Sequence, residues 1–313
     1  MTIRNYTRGD AAEVLRLWNT AGAQTMGYAP QSAEGLDALL LRHPDFSEKH
    51  SFVLTDADGV RGFVSGVTGD ALAQGRVRGY FSCLLLDPAA DSDENTALLL
   101  AALEDSFRAA GKSVAAVTCF NPVRLPWIIP STDGHQHNNM PGIPTDTALY
   151  RRMLALGWVE ATTEQAMHLD LSGFQYPEKM REKERKMAEN GYFVDWYREG
   201  VHQGVDEMVE SLNNSMWSEE IPPAAHNGMR LLVGLEGNTV AGFTGPVYPE
   251  PTGRGYFAGI AVGSGFQNHG LGSLLFYKLC QAEKDCGARS GWMFAVNGVF
   301  PNYGASDCTV QDG

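Results

Sequence analysis

The stretch Gly263-Ser264-Gly265-Phe266-Gln267-Asn268-His269-Gly270-Leu271-Gly272 joins an apolar run, Tyr256 to Val262, to an amphipathic run, Ser273 to Cys286. A buried strand that turns through glycines into a helix start leaves several backbone N–H groups without an intrahelical partner, and the positive end of the helix dipole adds to their pull. The stretch therefore reads as an anion cradle suited to phosphate. Spacing excludes two familiar phosphate loops. Gly270 is followed by Leu271 and Gly272, so the lysine of a Walker loop is missing. Counting from Gly263 and Gly265 puts Asn268 where a dinucleotide fingerprint needs its third glycine. A glycine-rich strand-to-helix turn without a ligand is the alternative reading.

Around this stretch the chain has 313 residues, of which 43% are hydrophobic and 19% charged, enough for two cores of ordinary globular composition. The formal net charge of −13, with no basic stripe, argues against a nucleic-acid partner. It accommodates a cationic amine, as it does simple solubility. The five cysteines, Cys83, Cys119, Cys280, Cys286 and Cys308, are odd in number and unclustered, which predicts reduced thiols in a cytoplasmic protein. The N-terminus has no apolar leader, and the longest apolar run, Ala97 to Leu103, is far too short to span a membrane. His135-Gln136-His137 has no clustered third ligand, so no metal is expected. It lies in a long irregular insertion, Asn121 to Thr147, which reads as an interface or a lid.

Read in order, the chain predicts a strand over Thr2 to Tyr6, a helix after Asp10, and a hairpin turning at Asp58-Gly59. A buried strand Tyr80 to Leu86, a helix Thr96 to Ala110 and a strand Val114 to Phe120 follow. The same order returns with a hairpin at Gly237-Asn238, the strand from Tyr256, the helix ending at Gly287, and a strand Trp292 to Val296. Tyr80-Phe81 matches Tyr256-Phe257, and Gly111 matches Gly287, both at an offset of 176 positions. The chain thus reads as a duplicated domain. At that offset Gln267, Asn268, His269, Gly270 and Gly272 face Asp91, Ser92, Asp93, Glu94 and Thr96. The first copy has side chains and carboxylates where the second has a cradle, so only the second is expected to hold an anion. The predicted boundaries are a degenerate domain over 1–172, a charged linker helix over 173–190 and a ligand-binding domain over 191–313.

Placed between strand and helix, Gln267-x-x-Gly270-x-Gly272 resembles the Gln/Arg-x-x-Gly-x-Gly/Ala signature of the Gcn5-related N-acetyltransferase (GNAT) superfamily. The resemblance implies an α/β fold of two tandem acetyltransferase-like domains, each a mostly antiparallel mixed sheet flanked by helices. It implies acetyl-CoA as co-substrate, with the loop from Gln267, Asn268, His269, Gly270, Leu271 and Gly272 to Ser273 around its pyrophosphate. The main chains of Ile260 and Val262 would flank the pantetheine arm, and Asn297 would reach its amides. Tyr303 corresponds to the family's proton donor in a pattern like Asn-x5-Tyr-x3-Gly-Phe. Here the spacing to Tyr303 holds, Asp307-Cys308 replaces Gly-Phe, and Gly298, Pro301 and Gly304 make a poor helix. In the first copy Met153 stands where the tyrosine would be. No acid or histidine lies within Tyr256 to Val262, which leaves Glu219, Glu220, Glu250 or a water chain to take the acceptor's proton. The implied function is acetyl-CoA-dependent N-acetylation of a small amine by direct attack on the thioester. The alternative is a non-catalytic acyl-CoA-binding sensor or scaffold. A homodimer fits either reading.

Overall fold

The computed structural model of the chain describes residues 1–22, 26–118, 120–128, 136–137, 142–296 and 308–312. They divide into two units, one of residues 1–167 with 294–296 and 308–312, the other of residues 168–293.

Apolar alternation builds the first unit's sheet from β1 (Thr2–Asn5), β2 (Ser51–Asp56), β3 (Gly59–Thr68), β4 (Arg78–Leu86) and β5 (Val114–Ala116), in that spatial order. All neighbours are antiparallel except β4 and β5. The hairpin turns at Asp58-Gly59 as expected, with Asp58 N donating to Asp56 Oδ1 and Gly59 at φ 126°. Between β1 and β2 lies α1 (Ala11–Leu17), and between β4 and β5 lies α2 (Asp93–Ala109). Helix α2 begins earlier than its apolar periodicity predicts, because Ser92 Oγ caps Asn95 N at 3.2 Å and Asp93 and Glu94 complement the dipole. Its Leu99, Leu100, Leu103 and Phe107 are buried. Strand β5 is shorter than predicted and pairs only with Arg78 to Tyr80. The unit continues through β6 (Ile143–Pro144), α3 (Ala148–Ala155) and β7 (Thr162–Asp170), whose residues 168–170 belong to the second unit.

The second unit opens with α4 (Glu178–Glu189), the charged segment expected to be a linker. Its ion pairs face water, yet Met180 and Met187 are buried in the unit's core. There follow β8 (Tyr192–Trp196), α5 (Val205–Glu210), α6 (Ser215–His226), β9 (Leu232–Glu236), β10 (Thr239–Gly245) and β11 (Tyr248–Pro249). The unit closes with β12 (Arg254–Tyr256), β13 (Gly259–Val262), α7 (Leu271–Asp285) and the first part of β14 (Ser290–Val296), whose residues 294–296 belong to the first unit. Strands β8-β9-β10-β13 form an antiparallel sheet with two apolar faces. One face packs Leu232 and Ala241 against Leu271, Leu274, Leu275 and Leu279 of α7 and the methionines of α4. The other packs Val233, Leu235, Val240 and Phe243 against Val205, Met208 and Val209 of α5 and Ile221 of α6. Residues 232 and 233 thus go to opposite layers, as the two-residue strand period requires. Each fully buried leucine contributes about 1.5–3 kcal/mol.

The strand predicted as one run from Tyr256 to Val262 is two. Strand β12 pairs in parallel with β14, Arg254 with Ser290 and Gly255 with Gly291, whereas β13 pairs with β10. At the break, Ala258 N donates to Gly245 O at 2.9 Å and Ala258 O accepts from Trp217 Nε1 at 3.1 Å, which draws the chain away from β14. The last strand, β15 (Cys308–Asp312), lies antiparallel to β7 and β6 in the first unit, although the sequence suggested a continuation of the second copy. No helix among the described residues is long and apolar enough to cross a membrane.

Candidate functional site

Divergence of β12 and β13 leaves β13 an edge strand of its sheet, with β10 its one neighbour there. Its phase follows from one bond: Gly263 N donates to Ala241 O at 2.9 Å, so Phe243 and Ala261, two residues back along each strand, also face each other through hydrogen bonds. Ile260 and Val262, opposite Thr244 and Gly242, therefore turn their N–H and C=O groups to the open edge. Both side chains are half-buried, more exposed than the core position the sequence suggested.

This edge runs into the loop. Ser264–Phe266 makes one tight turn, Asn268 takes the left-handed conformation at φ 67°, and Gly270 does so at φ 88° immediately before α7. The backbone N–H groups of Gln267, Asn268, His269, Gly270, Leu271, Gly272 and Ser273 donate to no acceptor among the described residues. Gln267 folds its side-chain amide back toward Val262 O at 3.5 Å, and the His269 ring stacks on Tyr192 with centroids 4.4 Å apart. A Cβ added at Gly270 would lie 2.9 Å from Lys183 Nζ, so this ammonium sits at the mouth of the loop. Orphan amides, a helix N-terminus and a cation converge without an acceptor, an arrangement that fits a phosphate group.

The first unit has filled the equivalent place from within. Arg152 of α3 pairs with Asp91 and, at 2.7 Å, with Asp93, while Ser92 caps the start of α2. Carboxylates and a guanidinium satisfy one another there, as the loss of the glycines implied.

On the other side of the fork, α6 lies against the strands through Trp217. The Tyr256 hydroxyl donates to Glu220 Oε1 at 2.6 Å, and Tyr248 stacks on Tyr256 at 4.6 Å. Burial above all, and then Glu220, hold the Tyr256 phenol well above its ordinary range. Of the sequence candidates for a base, Glu220 is thus brought to the fork. Glu250 stands 3.7 Å from Arg254, and Glu219 is exposed. Beneath the fork lies Glu283 of α7, which sequence reasoning missed. It is 2% exposed, and burial raises its carboxyl to about 8 against the pull of Arg254. Its signal was readable as an acid on the helix face that carries Leu279 and Cys280 inward. Lys183 had no such signal, because nothing in a charged helix says which loop it covers. Asn297, Tyr303 and His135 lie outside the described residues, and among those residues no cluster of potential metal ligands occurs.

Comparison with known proteins places this geometry. A family model described as Domain of unknown function (DUF4430) matches residues 279–313. No curated protein matches the chain. Solved structures share its fold along nearly its whole length. A Gcn5-related N-acetyltransferase from Sphaerobacter thermophilus aligns with a TM-score of 0.59 at 12% identity, covering 99% of this chain and 94% of that one. The tandem GNAT protein of the clavulanic acid biosynthesis pathway aligns at 0.54 and 14% identity, covering 99% and 96%. The GCN5-related glucosamine N-acetyltransferase region of a fungal multi-domain GH3 beta-N-acetylglucosaminidase aligns at 0.67 and 14% identity. There the match covers 99% of this chain but 37% of the fungal one. Two successive sheet-and-helix units, a forked strand pair and a glycine loop at a helix start give this chain the tandem GNAT fold.

Proposed function

We propose that the chain is an acetyl-CoA-dependent N-acetyltransferase acting on a small amine, with the second unit carrying the reaction. The observation that carries this reading is the continuity of an open strand edge, at Ile260 and Val262, with the free amides from Gln267 to Ser273. A ligand with an amide-bearing arm and a diphosphate has the matching groups, the arm adding to the edge as a further strand would. When bound, acetyl-CoA supplies an acetyl group activated as a thioester.

The chain's own residues then have separable tasks. Loop amides and Lys183 hold the diphosphate, and the main chain of Ile260 and Val262 orients the arm. Glu220, oriented by the Tyr256 hydroxyl, receives the proton of the incoming amine. Asn297 and Tyr303 keep the roles implied by the resemblance, Asn297 on the arm and the Tyr303 hydroxyl as proton donor. The net charge of −13 favours a cationic acceptor, and the protein belongs in the cytoplasm on this reading.

The test combines calorimetry with acetyl-CoA and an assay of thiol release over a panel of amines. One site per chain and amine-dependent release are expected. Absence of affinity for acetyl-CoA, or binding without release on any amine, would overturn the proposal.

A further inference from the structure

Helix α6 spans the fork with residues one turn apart: Trp217 Nε1 donates to Ala258 O, and Glu220 accepts from the Tyr256 hydroxyl. Its last residue makes a third attachment. His226 Nδ1 lies 2.8 Å from Glu199 Oε2, and Nε2 lies 2.9 Å from Asp206 Oδ1. Glu199 belongs to the segment between β8 and α5, and Asp206 to the first turn of α5, so one ring joins three pieces of chain. Between the fork and this ring α6 carries Pro222 and Pro223, which have no N–H. The carbonyls of Ser218 and Glu219 thus lose the ladder partners four residues on, and the helix beyond Glu220 leans on the contacts at its end.

The chemistry of the ring makes that contact conditional. An ionised carboxylate only accepts, and a neutral imidazole has one N–H to give, so carboxylates on both ring nitrogens are satisfied together only by the imidazolium. Glu199 and Asp206 are the charged groups on the ring among the described residues, and their hydrogen bonds hold the imidazole above its ordinary range. Glu199 in turn is held below the usual carboxylate range by His226 and then by the Tyr197 hydroxyl, which donates to it at 3.0 Å. Tyr197 stands edge-on between His226 and His202. His202 is buried and kept neutral by that burial and by Arg198, which pairs with Asp195 at 3.1 Å.

We propose that His226 is a positioning residue for Glu220: a latch that, with both nitrogens donating, holds the C-terminal turn of α6 and with it the backbone of Glu220 at the fork. Loss of one proton turns one contact into acceptor against acceptor and frees that turn. Because the partners raise the imidazole in the fold, the latch is whole at and below the ordinary value of about 6.5 and is lost as pH rises above it. The role rests on the reading of Glu220 as the base.

Hydrogen exchange at the amides of residues 224–227, corrected for the intrinsic rate and followed from about pH 6 to about pH 9, tests the latch. Opening in the wild type should rise about fivefold over this interval, the effect of one charged hydrogen bond partly open to water. His226→Gln, with a donor for one carboxylate only, should open at every pH as the wild type does at high pH. His226→Lys, a cation with several donors, should stay protected throughout. The positioning role is read from kcat/KM for the amine as a ratio of His226→Gln to wild type, in which the ionisation of amine and base cancels. That ratio should be about one-fifth near pH 6 and approach one near pH 9. Exchange in the wild type that is flat with pH, or a pH dependence that persists in His226→Gln, would overturn the latch. A constant ratio alongside the expected exchange would overturn the positioning role and leave the acetyltransferase reading intact. A wild type without turnover on any amine would overturn that reading and the positioning role with it.

Discussion

The Tyr256 hydroxyl donates to Glu220 Oε1 at 2.6 Å and so ties α6 to the strand end from which β13 diverges. Because the phenol is held above its ordinary range by burial and by this carboxylate, it remains a donor at every working pH and orients its partner. Glu220→Gln keeps the shape and removes the proton acceptor. It is expected to lower kcat/KM for the amine by about 10²–10⁴ with little change in acetyl-CoA affinity. Tyr256→Phe removes only the orienting bond and should cost about tenfold, the range of one hydrogen bond to a charged group. Steady-state kinetics and calorimetry on both variants separate these effects. Unchanged turnover in Glu220→Gln would remove Glu220 as the base.

The two units predict opposite responses to charge at their loops. Gly270→Glu puts a carboxylate beside Lys183, in a backbone conformation that disfavours side chains, and fills the cradle from within. Binding of coenzyme A should fall below detection. Glu94→Gly removes an acid from the first unit, where Arg152 and Ser92 already satisfy the loop, and should leave binding unchanged. Calorimetry showing two equivalent sites in the wild type would contradict both expectations.

The legible features were those with a local period or a local steric demand. The hairpin at Asp58-Gly59, the buried face of α2 and the glycines before α7 follow from alternation, helical spacing and positive φ, each readable within a few residues. The break at Phe257-Ala258 was not legible, because it is made by Trp217 and Gly245, which are distant in sequence. Lys183 at Gly270 and Tyr256 on Glu220 are likewise meetings of separate segments. The charge pattern of α4 describes only the face in water, whereas Met180 and Met187, near its two ends, set the other face in the core of the second unit.

Glu283 predicts a pH dependence of stability. Burial raises its carboxyl to about 8 in the folded chain, against an ordinary value of 4.5, with Arg254 opposing the shift. Between those values the folded state binds the extra proton, so stability falls as pH rises through that window, at no more than about 1.4 kcal/mol per pH unit. Glu283→Gln should flatten this decline and raise the Tm relative to wild type at pH 8. Thermal melts from pH 5 to pH 8 check it. Parallel curves for the two proteins would mean that Glu283 is ionised in the fold beside Arg254.

Tyr303 decides between an enzyme and a binder. It lies outside the described residues, and its role rests on the resemblance and on its spacing from Asn297. A departing thiolate has a solution pKa near that of a free thiol, about 8.5 for cysteine, so protonating it is a modest task worth about 10²–10⁴ in rate. Tyr303→Phe keeps the ring and removes the hydroxyl. The expected outcome is a fall in kcat within that range and nearly unchanged acetyl-CoA affinity, the mark of an interaction made in the transition state and not in binding. Glu220→Gln should show the same split, a fall in kcat/KM for the amine with acetyl-CoA affinity nearly unchanged, since it removes a proton acceptor. If turnover is measurable and indifferent to Tyr303→Phe, the proton comes from water or from another residue. The tyrosine then has no part in the chemistry.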